Sequence, residues 1–338
     1  MVLLGQVAAE NLPHPEVDLP IQIKLKQKMS LKIIHTKNLR WVDIVNPDDS
    51  DLVYLKENFR FHPLDFDDVV TPSIRTKIDE YDDYYFIILL FPYFHRDLKE
   101  IKPAEVDFFV GKDFVITIHD GTLKTLNNTV HNVHQYDDTR IKIMTQGPGF
   151  LLFSILEVLF KRSGPILDKI NQQIMQSGHD VFQLDIKTLE KLSELKKNII
   201  IYRRIMKMHK FILSKLEHSK KDFLQFRDSR VYFQGLIEYA ENIWDVLASD
   251  KESVESFEDT NQSLATHKIN DILQLLTVLS VLVSIITMIT DILILFERPN
   301  LERMLGITSD GQFGILVGTS LVLTLAGTLL LFRHRKLL

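Results

Sequence analysis

The strongest constraint on this chain lies in its last third. Between Lys220 and Phe296 there is no proline and only one glycine, Gly235, so nothing there forces a helix to end. A continuous helix of that length would span on the order of 110 Å at ~1.5 Å per residue. No compact soluble domain needs such an element, whereas a helix that starts in a soluble domain and crosses a membrane does. Its end fits that reading. Residues 272–296 are apolar apart from scattered Gln, Ser and Thr and the charge of Asp291, and they exceed the ~20 residues that cross a bilayer.

A second apolar segment, 312–332, is uncharged and also long enough, and the polar stretch 297–311 with Pro299 and Gly306 separates the two. The sequence thus predicts a membrane hairpin. The basic tail Arg333-His334-Arg335-Lys336 belongs inside by the positive-inside tendency. Both termini are then expected in the cytoplasm, in a plasma or inner membrane, with 297–311 outside. Gly314-x-x-x-Gly318 permits close helix approach but arises often by chance in apolar segments.

The rest of the chain reads as soluble. The absence of cysteine among the 338 residues excludes disulfides and thiolate chemistry and fits a reducing compartment. The first 18 residues lack the basic start and apolar run of a secretory signal. A net charge of -5, without a basic stripe interleaved with aromatics, argues against nucleic acid as a partner. The runs MSLKIIH, WVDIV, YYFIILLF and EVDFFVGKDFVITIH predict strands, with a hairpin at Gly111-Lys112-Asp113. Asp48–Phe59 and Pro63–Val70 predict short helices.

After the Gly147-Pro148-Gly149 punctuation only helical periodicity remains. It predicts helices from Phe150 to about Ser177, from about Asp185 to Leu216, and from Lys220 onward, broken at Ser177-Gly178-His179 and Glu217-His218-Ser219. The expected organisation is an α/β domain over 1–149, a helical part over 150–218, a stalk helix over 219–271, a first transmembrane helix over 272–296, a loop over 297–311, a second transmembrane helix over 312–332 and a basic tail over 333–338.

The first transmembrane helix carries a pattern of its own. Asn270, Thr277, Ser280, Ser284, Thr287 and Asp291, with Leu273 filling the gap, step by alternating three and four residues and so share one face. A carboxylate inside a bilayer costs ~2.5–3.5 kcal/mol, so Asp291 should meet water, a cation or a partner. Arranged around a symmetry axis, such faces form a polar pore with a ring of acids near its mouth. The plainer alternative is that the hydroxyls bond back to their own helix carbonyls and Asp291 snorkels to the interface. One hairpin cannot enclose a path, so conduction requires an oligomer.

From about Trp41 to its end, the chain resembles the CorA-type divalent-metal transporters. The blocks that carry this are Trp41-Val-Asp-Ile, Phe61-His62-Pro63-Leu64 with Asp67-Asp68, Arg75-x-Lys77, Glu80-Tyr81-Asp82-Asp83-Tyr84, the Gly111 hairpin, the long stalk, and Asn270 with Leu276-Thr277 at the membrane entry. The resemblance implies a funnel-shaped homopentamer passing Mg2+, with Co2+ or Ni2+ as surrogates and Zn2+ or other ions in some branches. The divalent cation is then the transported or regulatory ligand, and no resident cofactor is implied. The pore-lining positions the resemblance implies are Asn270, Leu273, Leu276, Ser280, Ser284, Thr287 and Asp291, and the stripe adds Thr277 as an expected pore-lining residue.

Two departures stand out. The family's Gly-Met-Asn signature is replaced by Ile294-Leu295-Phe296, followed by Glu297, so the outer mouth loses its amide ring. Of a regulatory acid pair, Asp68 stands at one position and Gly235 at the other, while Asp259 matches an inward-facing stalk acid. The expected partners are metal cations, lipid and further copies of the chain. A non-conducting membrane scaffold or sensor is the alternative.

No catalytic constellation is present, so no enzyme is expected. His131-x-x-His134 lacks further ligands at metal-site spacing and reads as surface histidine. Lys187, Lys191, Lys196, Lys197, Arg203 and Arg204 read as a basic helix face matched by few acids.

Overall fold

The computed structural model describes residues 31–71, 75–183 and 186–295, together with seven helical positions between 315 and 327. Residues 1–30, most of 296–338, and hence the expected loop, tail, most of the second span, Phe296 and Glu297 lie outside the described residues. Two compact units are formed, one within Met1–Ser177 and Glu190–Glu255 and one within Gly178–Leu189 and Ser256–Leu338.

In the first unit β1 (Leu31–His35), β2 (Arg40–Val45), β3 (Lys77–Glu80), β4 (Tyr84–His95), β5 (Glu100–Gly111) and β6 (Phe114–His119) build one sheet in the order β1-β2-β6-β5-β4-β3. The β2–β6 pair is parallel and all others are antiparallel. The near-continuous apolar run of β4 follows from its place inside the sheet. Tyr84, Phe86 and Ile88 face the core under α1 (Asp49–Asn58) and α2 (Pro63–Val70). On the other face Tyr85 bonds Ser219 at 3.0 Å, and Phe91 packs its ring against Phe160 and His209. A strand buried on both faces shows no alternation.

The short helices form where their capping residues predict. Asp48 and Asp51 close a capping box at the start of α1. Pro63 occupies the first turn of α2, and the His62 ring accepts from the Leu64 N–H. Tyr81 and Tyr84 both donate to the fully buried Asp65, at 2.9 and 2.7 Å, while Tyr84 Oη accepts from the His62 N–H. On the opposite face of β2 and β6 lies a second polar chain. Trp41 Nε1 donates to Thr117, and Thr117 and His119 Nε2 both reach Asp43, the latter at 3.1 Å. Because His119 Nδ1 accepts from the Gly121 N–H, Nε2 carries the proton. These two networks tie the Trp41, His62 and Tyr84 blocks into the fold.

Helices α3 (Lys124–Gln135) and α4 (Asp137–Met144) follow the sheet, and both His131 and His134 are exposed on α3. Helix α5 (Pro148–Asp180) corrects an expected break: it runs straight through Ser177-Gly178-His179. Gly178 is there for close approach, since a Cβ would sit 2.9 Å from the Phe257 ring. The helix expected over 185–216 is two, α6 (Ile186–Met206) and α7 (His209–Glu217). No glycine or proline marks the break. Helix α8 (Ser229–Leu295) begins nine residues later than the expected Lys220, after a 3-10 turn at Asp222–Leu224 and Asp228 at φ 61°. Acids from other elements answer the basic residues of α6: Lys197 pairs with Glu100 at 2.5 Å and Lys196 with Glu255 at 3.7 Å, while Arg203 stacks on Trp244.

Gly149, expected as a boundary, sits in the first turn of α5, where its Cα approaches the backbone of Leu224 so closely that a Cβ would lie 2.5 Å from that carbonyl oxygen. Backbone cannot yield as a side chain does. Gly149→Ala is expected to cost ~1–3 kcal/mol, read as a lowered urea midpoint of the purified protein.

Candidate functional site

Among the described residues one helix is long and apolar enough to cross a membrane: α8, with a window of mean hydropathy 2.5 that is nowhere buried within the chain. At ~100° per residue, Asn270, Leu273, Thr277, Ser280, Ser284, Thr287 and Asp291 fall within a stripe ~100° wide, with Leu276 at its edge. From Asn270 to Asp291 the rise is ~32 Å, close to the ~30 Å of a bilayer's hydrocarbon. The stripe therefore has an amide at one end of the span and a carboxylate at the other.

All eight residues are exposed in the single chain. The half-buried positions Leu275, Leu282, Ile286 and Ile289 fall on the opposite side of the helix by the same arithmetic. The least exposed positions of this stretch thus lie on the side away from the polar face, which is open. Exposed Ile272, Val278, Val281 and Ile285 flank it, an apolar surface of the kind that lipid or further copies cover.

Each hydroxyl on the stripe donates back into its own helix: Thr277 to Leu273 O at 2.8 Å, Ser280 to Leu276 O and Ser284 to Ser280 O at 2.9 Å, and Thr287 to Ser284 O at 2.9 Å. This is the bonding of the plainer alternative, and it fixes polarity. With each hydrogen committed inward, each oxygen offers lone pairs outward. Water bound to a cation points its hydrogens away from the metal. A wall of acceptors suits such a hydrated ion.

At the end of α8, Ile294 and Leu295 are helical in backbone. Among the described residues no three His, Asp or Glu side chains of one chain gather as a metal site. Any closed ring must come from several copies.

The regulatory candidates Asp68 and Asp259 are differently placed. Asp68 on α2 receives the Lys77 ammonium, which also donates to Asp79 at 2.6 Å. Burial alone would lower the Lys77 pKa, but the bonds to Asp68 and Asp79 outweigh it and raise it. Gly235 has open space where a Cβ would be. Asp259 is exposed on the second unit's stretch of α8. Asp68 and Asp259 lie in different units, and Asp68 is matched by Lys77 rather than by an acid.

The sequence reading missed Asp107. It lies on β5 between Ile88 and Ile118 of the neighbouring strands, 3% exposed, with one carboxyl oxygen lacking a hydrogen-bond partner. Burial, aided by the charges of Glu105 and Asp68, raises its pKa well above that of an ordinary carboxyl. Folding therefore binds a proton there, so wild-type stability falls as pH rises from ~3.8 toward the folded value. Asp107→Asn is expected to be more stable than wild type at pH 7, by upward of ~1 kcal/mol. The gain should vanish near pH 4, which urea unfolding at both pH values measures.

The architecture is that of a membrane protein: a six-stranded α/β domain whose last helix runs on into an exposed, polar-faced apolar span. The chain belongs to the CorA-like Mg2+ transporter protein family, whose pattern its residues 36–293 match. It is 25% identical to the YfjQ protein of Bacillus subtilis over 241 residues, 70% of this chain and 72% of that one. It is 22% identical to the cobalt/magnesium transport protein CorA of Thermotoga maritima, over 70% of this chain and 67% of that one. The complete structure of the CorA magnesium transporter from Methanocaldococcus jannaschii shares its fold, with a TM-score of 0.70 at 20% identity, over 89% of this chain and 92% of that one.

Proposed function

We propose that this chain forms a homopentamer whose α8 helices line a pore for metal cations, with Asn270, Leu273, Leu276, Thr277, Ser280, Ser284, Thr287 and Asp291 facing the axis. The observation that carries this is the open polar face of α8, uncovered by its own chain and facing outward with acceptor oxygens. A ring of Asp291 carboxylates draws cations electrostatically, without the geometric choice that an amide ring makes. With Ile294, Leu295, Phe296 and Glu297 at the mouth, the pore is expected to pass several divalent ions, Mg2+, Co2+, Ni2+ and Zn2+, with weaker preference among them than signature-bearing relatives have.

The protein would sit in the plasma or inner membrane as two spans, 272–296 and 312–332, with both termini cytoplasmic. Asp68 and Asp259 remain the candidates for cytoplasmic regulatory cation binding, and an ion at Asp68 must displace Lys77. Full-length protein reconstituted in liposomes with an entrapped metal-sensitive dye tests the reading. Saturable influx of at least two of the four ions is the expected result. No flux of any of them, nor of monovalent cations, overturns it in favour of a non-conducting scaffold.

A further inference from the structure

A cleft of about 570 Å3 opens in the first unit, where the end of β4 meets the first turn of α3 and the middle of α5. This is the size of a small-molecule site, ~300–1,000 Å3. Its floor is apolar, formed by the buried Phe91, Ile101, Leu123 and Ile170. Its rim is cationic, since Arg96, Lys124, Arg162 and Lys169 all line it against the single carboxylate of Asp97.

Elsewhere in this unit lysines find acids: Lys77 with Asp79, Lys161 with Glu157, Lys197 with Glu100, Lys251 with Glu255. None of the four rim cations forms an ion pair among the described residues; Lys169 instead lies 4.1 Å from the centre of the Phe94 ring. Four like charges around one concavity repel one another unless an anion joins them. One further donor and a helix dipole favour the same ligand. His95 Nδ1 accepts from the Leu98 N–H, which leaves its Nε2 hydrogen free to donate. Helix α3 of 12 residues starts at the cleft with Leu123 as its N-cap, which offers no capping side chain; the Lys124 and Leu126 N–H groups bond Thr122 O and Leu123 O, so this end contributes its dipole to an anion rather than a cradle of free N–H groups.

We propose that this cleft binds a phosphorylated organic anion of mononucleotide size, with its phosphates on Arg96, Lys124, Arg162 and Lys169 and its ring on the apolar floor. The inference is independent of the pore, because binding is measured without transport. Full-length protein in detergent, with divalent ions chelated, is titrated calorimetrically with ATP and separately with inorganic tripolyphosphate, which carries the charge without the ring.

ATP is expected to bind with sub-millimolar affinity and at least ~10-fold more tightly than tripolyphosphate. Arg162→Glu with Lys169→Glu is expected to weaken ATP by more than ~10-fold, since each lost charge-assisted bond is worth ~1.5–3 kcal/mol. Lys124→Glu, on a different helix, should weaken it in the same direction and guards against misfolding of the double variant. Absence of ATP binding at low-millimolar concentration, equal affinity for the two anions, or unchanged affinity in well-folded variants overturns the proposal.

Discussion

Asp291→Lys is expected to reduce divalent-cation flux through reconstituted protein by at least ~100-fold. In water, two unit charges ~10 Å apart interact by about 0.4 kcal/mol, so in the proposed pentamer a divalent ion on the axis of five carboxylates gains ~4 kcal/mol before screening. Salt with a Debye length near 8–10 Å cuts this about threefold. Reversing the ring turns the remaining ~1.4 kcal/mol of attraction into a similar repulsion, a swing of ~3 kcal/mol, or about two decades in rate. Asp291→Asn should lose only the attraction, ~10-fold, and Asp291→Glu should stay within a few-fold of wild type. A lysine this near the end of the span snorkels to the interface at modest cost, so the variant is expected to reach the membrane, which a surface-expression assay checks. Equal flux in wild type and lysine variant would place Asp291 off the axis and sink the pore assignment.

The graded order of the three variants separates electrostatics from packing. A residue that merely packed against a neighbour would tolerate asparagine, the closest isostere, better than glutamate. A ring acting through charge ranks them in reverse. The hydroxyls below Asp291 supply only acceptors, so Ser284→Ala is expected to act far more weakly than loss of the ring.

What the sequence disclosed here, and what it hid, follows from where each signal lives. Pro63 and the Asp48/Asp51 box set helix starts locally, and α1 and α2 form where expected. The β4 run announces a strand because burial on both faces demands apolar residues throughout. Strand β3, Lys77-Ile78-Asp79-Glu80, carries no such signal: it is a four-residue edge strand held by β4 on one side, and its lysine is kept by Asp68 on a different element. The gap between α6 and α7 is equally silent, since Met206–His209 contains no breaker and the turn is set by burial of His209.

The polar stripe of α8 was legible because a helix's period is fixed by geometry, so spacing alone puts seven residues on one face. That the less exposed positions lie on the opposite face required coordinates. Asp107 was invisible for the contrary reason. An aspartate in a strand reads as an outward residue, and only the packing of α1 and α2 over that face makes it buried.

His209 yields the second large effect, and its sign is set by burial. The ring is fully buried between Phe91 and Phe160, with centroids 5.5 and 5.4 Å away, and neither nitrogen makes a hydrogen bond. Burial pushes its pKa down to about 4, only partly offset by the backbone carbonyls of Met206, Ile205 and Leu90 nearby. A depressed histidine is protonated in the unfolded chain before the folded one. Its contribution is therefore intact above ~6.5 and is lost as pH falls from ~6.5 toward 4. Across that window wild type should lose ~3 kcal/mol from this group. His209→Leu, which buries an apolar group of similar size and leaves no unpaired nitrogen, is expected to match or exceed wild-type stability at pH 7.5 and to lose ~3 kcal/mol less by pH 4. Urea unfolding of the full-length protein in detergent across that range measures both slopes. Parallel slopes would mean that His209 reaches a partner or water when protonated, and that the α6–α7 break is held by packing of Phe91 and Phe160 without any demand on the ring's charge.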